Sequence, residues 1–198
     1  PEFVEFHTAK TGKSGNDYSP GTESPVETPE ETLHKAYQSI RNDLAGEILE
    51  KVKSNSPQFF EKLVVDLMVA MGYGGSRSDA GQSIGHSGDE GVDGIIKEDR
   101  LGLDVIYLQA KKWEGTVGRP EIQKFVGALH GKRAKKGVFL TTGKFSEDAI
   151  RYVETIDPKV ILIDGNSLAN LMIDFGIGTA VISNLEIKRM DSDYFVEE

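Results

Sequence analysis

From residue 29 onward the hydrophobic pattern switches between a helical and a strand period. That order limits the fold more than any other feature of the sequence. Residues 92–97 and 103–111 read as two strands around a turn at 98–102, a hairpin. Pro120 then opens a helix whose Ile122, Phe125, Val126 and Leu129 share one face. Residues 137–142 form a short apolar strand, and Ser146 caps a helix with Glu147 and Asp148 in its first turn. A strand at 160–163 and a helix at 166–175 follow, and 178–198 is expected to hold one more strand and an acidic tail. Upstream, Thr28-Pro29-Glu30-Glu31 starts a linking helix at 29–53. Ser56-Pro57 starts another, with Phe60, Leu63, Val64, Leu67, Met68 and Met71 on one face and glycines at 72, 74 and 75 behind it. Residues 76–91 read as a glycine-rich loop with room for one short strand. The order predicts an α/β fold: a mixed sheet flanked by helices.

Composition narrows the function. The 198 residues contain no cysteine, which excludes disulfides, thiolate zinc sites and thiol catalysis. A cysteine-free chain with no membrane-length apolar run and no leader pattern is expected in the cytoplasm, with no membrane partner. Net charge is −9, which taken alone argues against a nucleic-acid partner. The distribution argues the other way. Residues 107–145 carry nine Lys or Arg against two acids, a local balance of +7, which suits a phosphate-facing surface as well as a plain solvated one.

Several motifs fail on inspection. Gly12-Lys13-Ser14 lacks the earlier glycine of a phosphate-binding loop, since His7 stands there. The four histidines show no ligand spacing, and no serine sits in a Gly-x-Ser-x-Gly elbow.

One constellation holds. Asp93 heads the first hairpin strand, and the second ends Gln109-Ala110-Lys111. Strand side chains alternate, so Gln109 and Lys111 share a face while Ile106, Leu108 and Ala110 share the other. Paired strands lie about 5 Å apart, so Asp93, Gln109 and Lys111 can converge. A hard cation such as Mg²⁺ takes oxygen ligands: the Asp93 carboxylate, the Gln109 amide oxygen and the Ala110 carbonyl. Such an ion activates water and polarises a phosphate, with Lys111 placed to orient that water or offset charge. Glu61, at the border of its helix face, can add a second carboxylate. The spacing alone is equally consistent with a turn aspartate beside a solvent-facing strand.

Residues 88–94 (Gly-Asp-Glu-Gly-Val-Asp-Gly), 109–113 (Gln-Ala-Lys-Lys-Trp), 122–129 (Ile-Gln-Lys-Phe-Val-Gly-Ala-Leu) and 137–146 resemble, in that order, the catalytic domain of the Mrr family. These are restriction endonucleases of the PD-(D/E)xK nuclease superfamily. Residues 59–67 and 71–75 resemble the family's opening helix, and the likeness spans about 29–180. It implies a restriction-endonuclease-like core that cleaves DNA with Mg²⁺, or Mn²⁺ in its place. It also implies modification-dependent action on methylated DNA, as in type IV restriction. On this resemblance Asp93, Gln109, Lys111 and Glu61 are the catalytic set. Gln123 is a supporting polar residue on the following helix, and Glu90 a second nearby acid.

Gln109 matches the family's Gln-x-Lys variant of the superfamily's usual acid-x-Lys, so the site has one negative charge fewer and is expected to lean more on Glu61 or Glu90. Relatives often carry an N-terminal winged-helix DNA-binding domain, so residues 1–28 are expected to be a linker or its remnant. Lys112, Trp113, Arg119, Lys124, Lys132 and Arg133 are the expected contacts to double-stranded DNA, and a homodimer would supply two cuts. Two other readings are a non-cleaving DNA-binding module and a structure-specific nuclease such as a Holliday-junction resolvase. The joint presence of Asp93, Gln109 and Lys111 favours an enzyme.

Overall fold

A computed structural model describes residues 27–74, 91–99 and 101–196. The chain divides into two units, 1–38 and 39–198. In the first, the described residues hold the start of helix α1 (Pro29–Ser54). Thr28 and Glu31 close a reciprocal capping box there: the Glu31 amide donates to Thr28 Oγ1, and the Thr28 amide to Glu31 Oε2.

The second unit is built on a four-stranded sheet of β1 (Gly94–Lys97), β2 (Val105–Lys111), β4 (Lys136–Thr141) and β6 (Lys159–Ile163). The spatial order is β1-β2-β4-β6, with β1 antiparallel to β2 and the other neighbours parallel. Each parallel step needs a crossover. The first runs through α3 (Arg119–Gly131), the second through α4 (Glu147–Val153). Helix α2 (Pro57–Ala70) precedes the sheet and α5 (Gly165–Asp174) follows it.

The alternation along β2 and β4 sorts the helices onto two faces. Ile106, Leu108, Val138 and Leu140 join one core with Phe60, Leu63, Val64 and Leu67 of α2, the end of α1 and α5. Phe139 joins the other, with Ile122, Phe125, Val126 and Leu129 of α3 and Ala149 of α4. Covered on both sides, β4 is apolar through its centre rather than alternating. Phe139 meets Phe125 and Phe145 edge-to-face at 5.6 and 5.8 Å. Gly137 is required beneath this cluster, because a Cβ there would lie 2.8 Å from the Phe125 ring.

The predicted mixed sheet flanked by helices is what the structure contains. A second, two-stranded parallel sheet was not expected: β3 (Thr116–Val117) pairs with β5 (Lys144–Phe145). The strand expected within 178–198 is a correction. Residues 179–191 form no regular element, and Ser192–Phe195 is a 3-10 helix. Leu185-Glu186-Ile187-Lys188 alternates like a strand, but among the described residues the sheet ends at β6 and no strand pairs with this segment. The loop expected at 76–91 lies outside the described residues except for Gly91.

Candidate active site

The site forms where β1 begins and β2 ends. The Asp93 amide donates to the Leu108 carbonyl at 2.9 Å, continuing the hairpin ladder one residue before β1. This sets Asp93 beside Gln109. Its Oδ2 accepts from Gln109 Nε2 at 2.6 Å and from the Ala110 amide at 2.8 Å. An ionised carboxylate only accepts, so the face of the Gln109 amide toward Asp93 must be its NH2. Both residues therefore act here as donors to Asp93. The expected use of Ala110 was through its carbonyl; the contact observed is through its N–H.

Lys111 lies two residues on, with its ammonium 4.3 Å from the Trp113 ring centroid. It also donates to Glu121 Oε2, in the first turn of α3. The same carboxylate accepts from Lys124 Nζ at 2.8 Å through its other oxygen. Glu121 is one of the two acids within residues 107–145 and carries no motif of its own. The available signal was an acid at a helix start, ten residues beyond the lysine.

Glu61 approaches from α2, which packs on the Ile106 and Leu108 face of the sheet. Partial burial raises its pKa, and the charge of Asp93 raises it further. Asp93 is also pushed up, mainly by burial, against the lowering effects of the Ala110 hydrogen bond and the Lys111 charge. Glu121 moves the other way, held down by its hydrogen bonds from Lys111 and Lys124. Two acids held above their usual range, one of them under the charge of a lysine, mark a functional-site candidate.

The donor set fits a hard divalent cation. The Asp93 charge raises the proton affinity of Glu61, and burial raises that of Asp93; a cation would relieve both, with amide, phosphate and water oxygens completing its shell. Among the described residues no cluster of three or more His, Asp or Glu occurs, so this acid pair is as far as the protein carboxylates go. Glu90 lies outside the described residues.

The basic residues divide between places. Trp113 is 40% exposed, and its backbone is fixed by Thr142 Oγ1, which accepts from its amide at 3.0 Å and donates to its carbonyl at 2.9 Å. Behind that link, Gly143 allows close passage, since a Cβ there would meet the Gly115 carbonyl oxygen at 2.1 Å. Lys112 turns away and donates to the Asn55 carbonyl beyond α1 at 2.5 Å. The Arg119 guanidinium stacks 4.8 Å from the Tyr152 ring. Gln123 and Lys124 are exposed on the first half of α3. Lys132 and Arg133 follow the end of that helix, about 16 Å along its axis from Glu121 at roughly 1.5 Å per residue. The basic stretch seen in the sequence is therefore not one patch at the acid pair.

An acid at a hairpin head thus meets an amide and a lysine of the next strand at one end of a mixed sheet between helices. The chain matches the family model Mrr_cat, restriction endonuclease, over residues 52–172. It is 40% identical over 185 residues to the type IV methyl-directed restriction enzyme EcoKMrr of Escherichia coli strain K12, covering 90% of this chain. It spans 60% of that relative's length. Among solved structures, the MspJI restriction endonuclease in complex with a 27-mer oligonucleotide is 23% identical, with 75% of this chain and 34% of that one covered and a TM-score of 0.40. The DNA modification-dependent restriction endonuclease AspBHI is 17% identical, with 84% and 40% covered and a TM-score of 0.46. This chain belongs to the Mrr_cat restriction endonuclease family.

Proposed function

We propose that this chain hydrolyses phosphodiester bonds of double-stranded DNA with a divalent cation, Mg²⁺ or Mn²⁺, and that its substrate carries methylated bases. The observation that carries the reading is the meeting of Asp93, Gln109, Lys111 and Glu61 at one end of β2. The family supports the chemistry. The methylated substrate is drawn from the 40%-identical relative, whose name is methyl-directed.

Asp93 and Glu61 would hold the cation, with the Gln109 amide oxygen and Ala110 carbonyl as further ligands. When bound, the ion supplies a water of lowered pKa and polarises the phosphate. Gln109 and the Ala110 amide fix the Asp93 carboxylate so that it needs no reorganisation on binding. Lys111 offers a cation to the phosphate as negative charge develops. Trp113, just past the end of β2, and Lys124, on α3 and bonded to Glu121, extend this surface. Paired cuts on both strands call for two such sites, hence a homodimer.

The test is cleavage of supercoiled plasmid, methylated and unmethylated, in Mg²⁺ and in EDTA, by wild type and by Asp93→Ala. Metal-dependent cutting that is restricted to methylated DNA and lost in Asp93→Ala is the expected result. Cutting that survives either EDTA or Asp93→Ala removes the assignment. DNA binding without cutting by the wild type favours a binding module.

A further inference from the structure

Among the described residues Lys111 is the basic group whose charge lowers the Asp93 pKa, yet its hydrogen bond goes to neither acid of the proposed metal site. It goes to Glu121, on a different element. We propose that Glu121 is the positioning residue for Lys111, holding its ammonium in one place over Trp113 and beside the reacting phosphate. This rests on Lys111 being the lysine of the hydrolytic site.

Three observations carry it. First, an ammonium group has three N–H donors. Glu121 takes one and the Trp113 ring attracts the group from another side, which pins a flexible four-carbon stem and leaves donor capacity for a phosphate. Second, Glu121 is itself well placed. Its side chain is only 22% exposed, and it sits in the first turn of α3, where the helix dipole favours an anion. The helix is anchored by the fully buried Ile122 and by Phe125, so the carboxylate is carried on a rigid element. Third, Lys124 occupies the other oxygen of Glu121. That contact orients the carboxylate and keeps its negative charge balanced when Lys111 turns part of its charge to a substrate. Neither Asp93 nor Glu61 can do this work without giving up oxygens that a cation would use.

Trp113 is the sole tryptophan of the chain, so its emission reports on the ammonium over its ring. The full chain is compared as wild type, Glu121→Ala, Glu121→Gln and Lys111→Met. The expected result is that Glu121→Ala takes the emission to that of Lys111→Met, with Glu121→Gln between because its amide oxygen still accepts. Cleavage by Glu121→Ala is expected to fall about 10- to 100-fold in kcat, the cost of a misplaced group, with KM unchanged or lower. A loss of fold would instead lower thermal stability and the active fraction. Wild-type emission in both Glu121 variants overturns the proposal. So does shifted emission with undiminished kcat. If the wild type cuts no DNA, the proposed hydrolysis fails, and the emission comparison alone decides whether Glu121 holds Lys111.

Discussion

Lys136 and Lys111 stand at opposite ends of the β2–β4 pair, each among acids, and their surroundings differ in sign. Lys136, at the start of β4, bonds Glu98 and also Asp104, the latter at 2.8 Å. Its own pKa is pushed up and the Asp104 carboxyl is held down, first of all by the hydrogen bond between them. Both carboxylates share the one ammonium, and the cluster ties the hairpin turn to the neighbouring strand. At the other end Lys111 lowers Asp93, but burial outweighs it, and Asp93 and Glu61 both stand above their usual range. Charged residue types alone do not separate a structural ion-pair cluster from a reactive site. Desolvation and the proximity of like charges are what distinguish the candidate site here.

The largest expected effect breaks the comparison at Asp93. Asp93→Asn is expected to reduce plasmid cleavage by more than about 10³-fold, the scale at which a preorganised catalytic group is lost. The same variant is expected to melt at a higher temperature than wild type at neutral pH. A raised folded-state pKa means that the folded protein binds the Asp93 proton more tightly than the unfolded chain does. Ionisation at neutral pH therefore costs stability. That cost fades as pH falls through the raised folded value into the usual carboxylate range. Melting curves between neutral and acidic pH should accordingly show the gap between variant and wild type closing on acidification. A gap that widens would reverse the sign assigned to burial.

Next in size is the exchange of roles between the lysines. Lys111→Met should lower cleavage about 100-fold or more with little change in melting temperature. Lys136→Met should leave the cleavage rate unchanged and lower the melting temperature, because Glu98 and Asp104 lose their shared cation. Parallel melting and cleavage assays check both. Equal losses of activity would mean that the two ends are coupled.

The smallest effects sharpen the comparison along α3. Lys124→Ala is expected to reduce the salt dependence of DNA binding by about one unit of log–log slope, the release of one phosphate contact. Lys132→Ala is expected to reduce it by less, since Lys132 lies at the far end of the helix. Binding titrations across salt concentrations measure both slopes. A larger change for Lys132 would move the DNA track toward the hairpin end.

The elements were readable where a local rule creates them. Pro57, Ser146 and the 3.6-residue spacing of Ile122, Phe125, Val126 and Leu129 mark helices because capping and one-sided burial act within a few residues. The short β3–β5 pair was not readable, because two-residue strands have no periodicity and exist only through a partner almost thirty residues away. The same logic explains the missing C-terminal strand: its alternation is local, but a strand is completed by a neighbour.

The site divides in the same way. Sequence alone indicated that Asp93, Gln109 and Lys111 can converge, because hairpin pairing and strand alternation follow from local spacing; the register that sets Asp93 beside Gln109 came from the structure. It also determined the fold class, from the order of helical and strand periods. Tertiary structure alone decided that Lys111 is held by Glu121, that Lys132 and Arg133 stand apart from the acid pair, and that burial raises Asp93 and Glu61. Those outcomes depend on which helix face meets which end of the sheet, and on how much water the packing excludes. Neither quantity is carried by residues near one another in the chain.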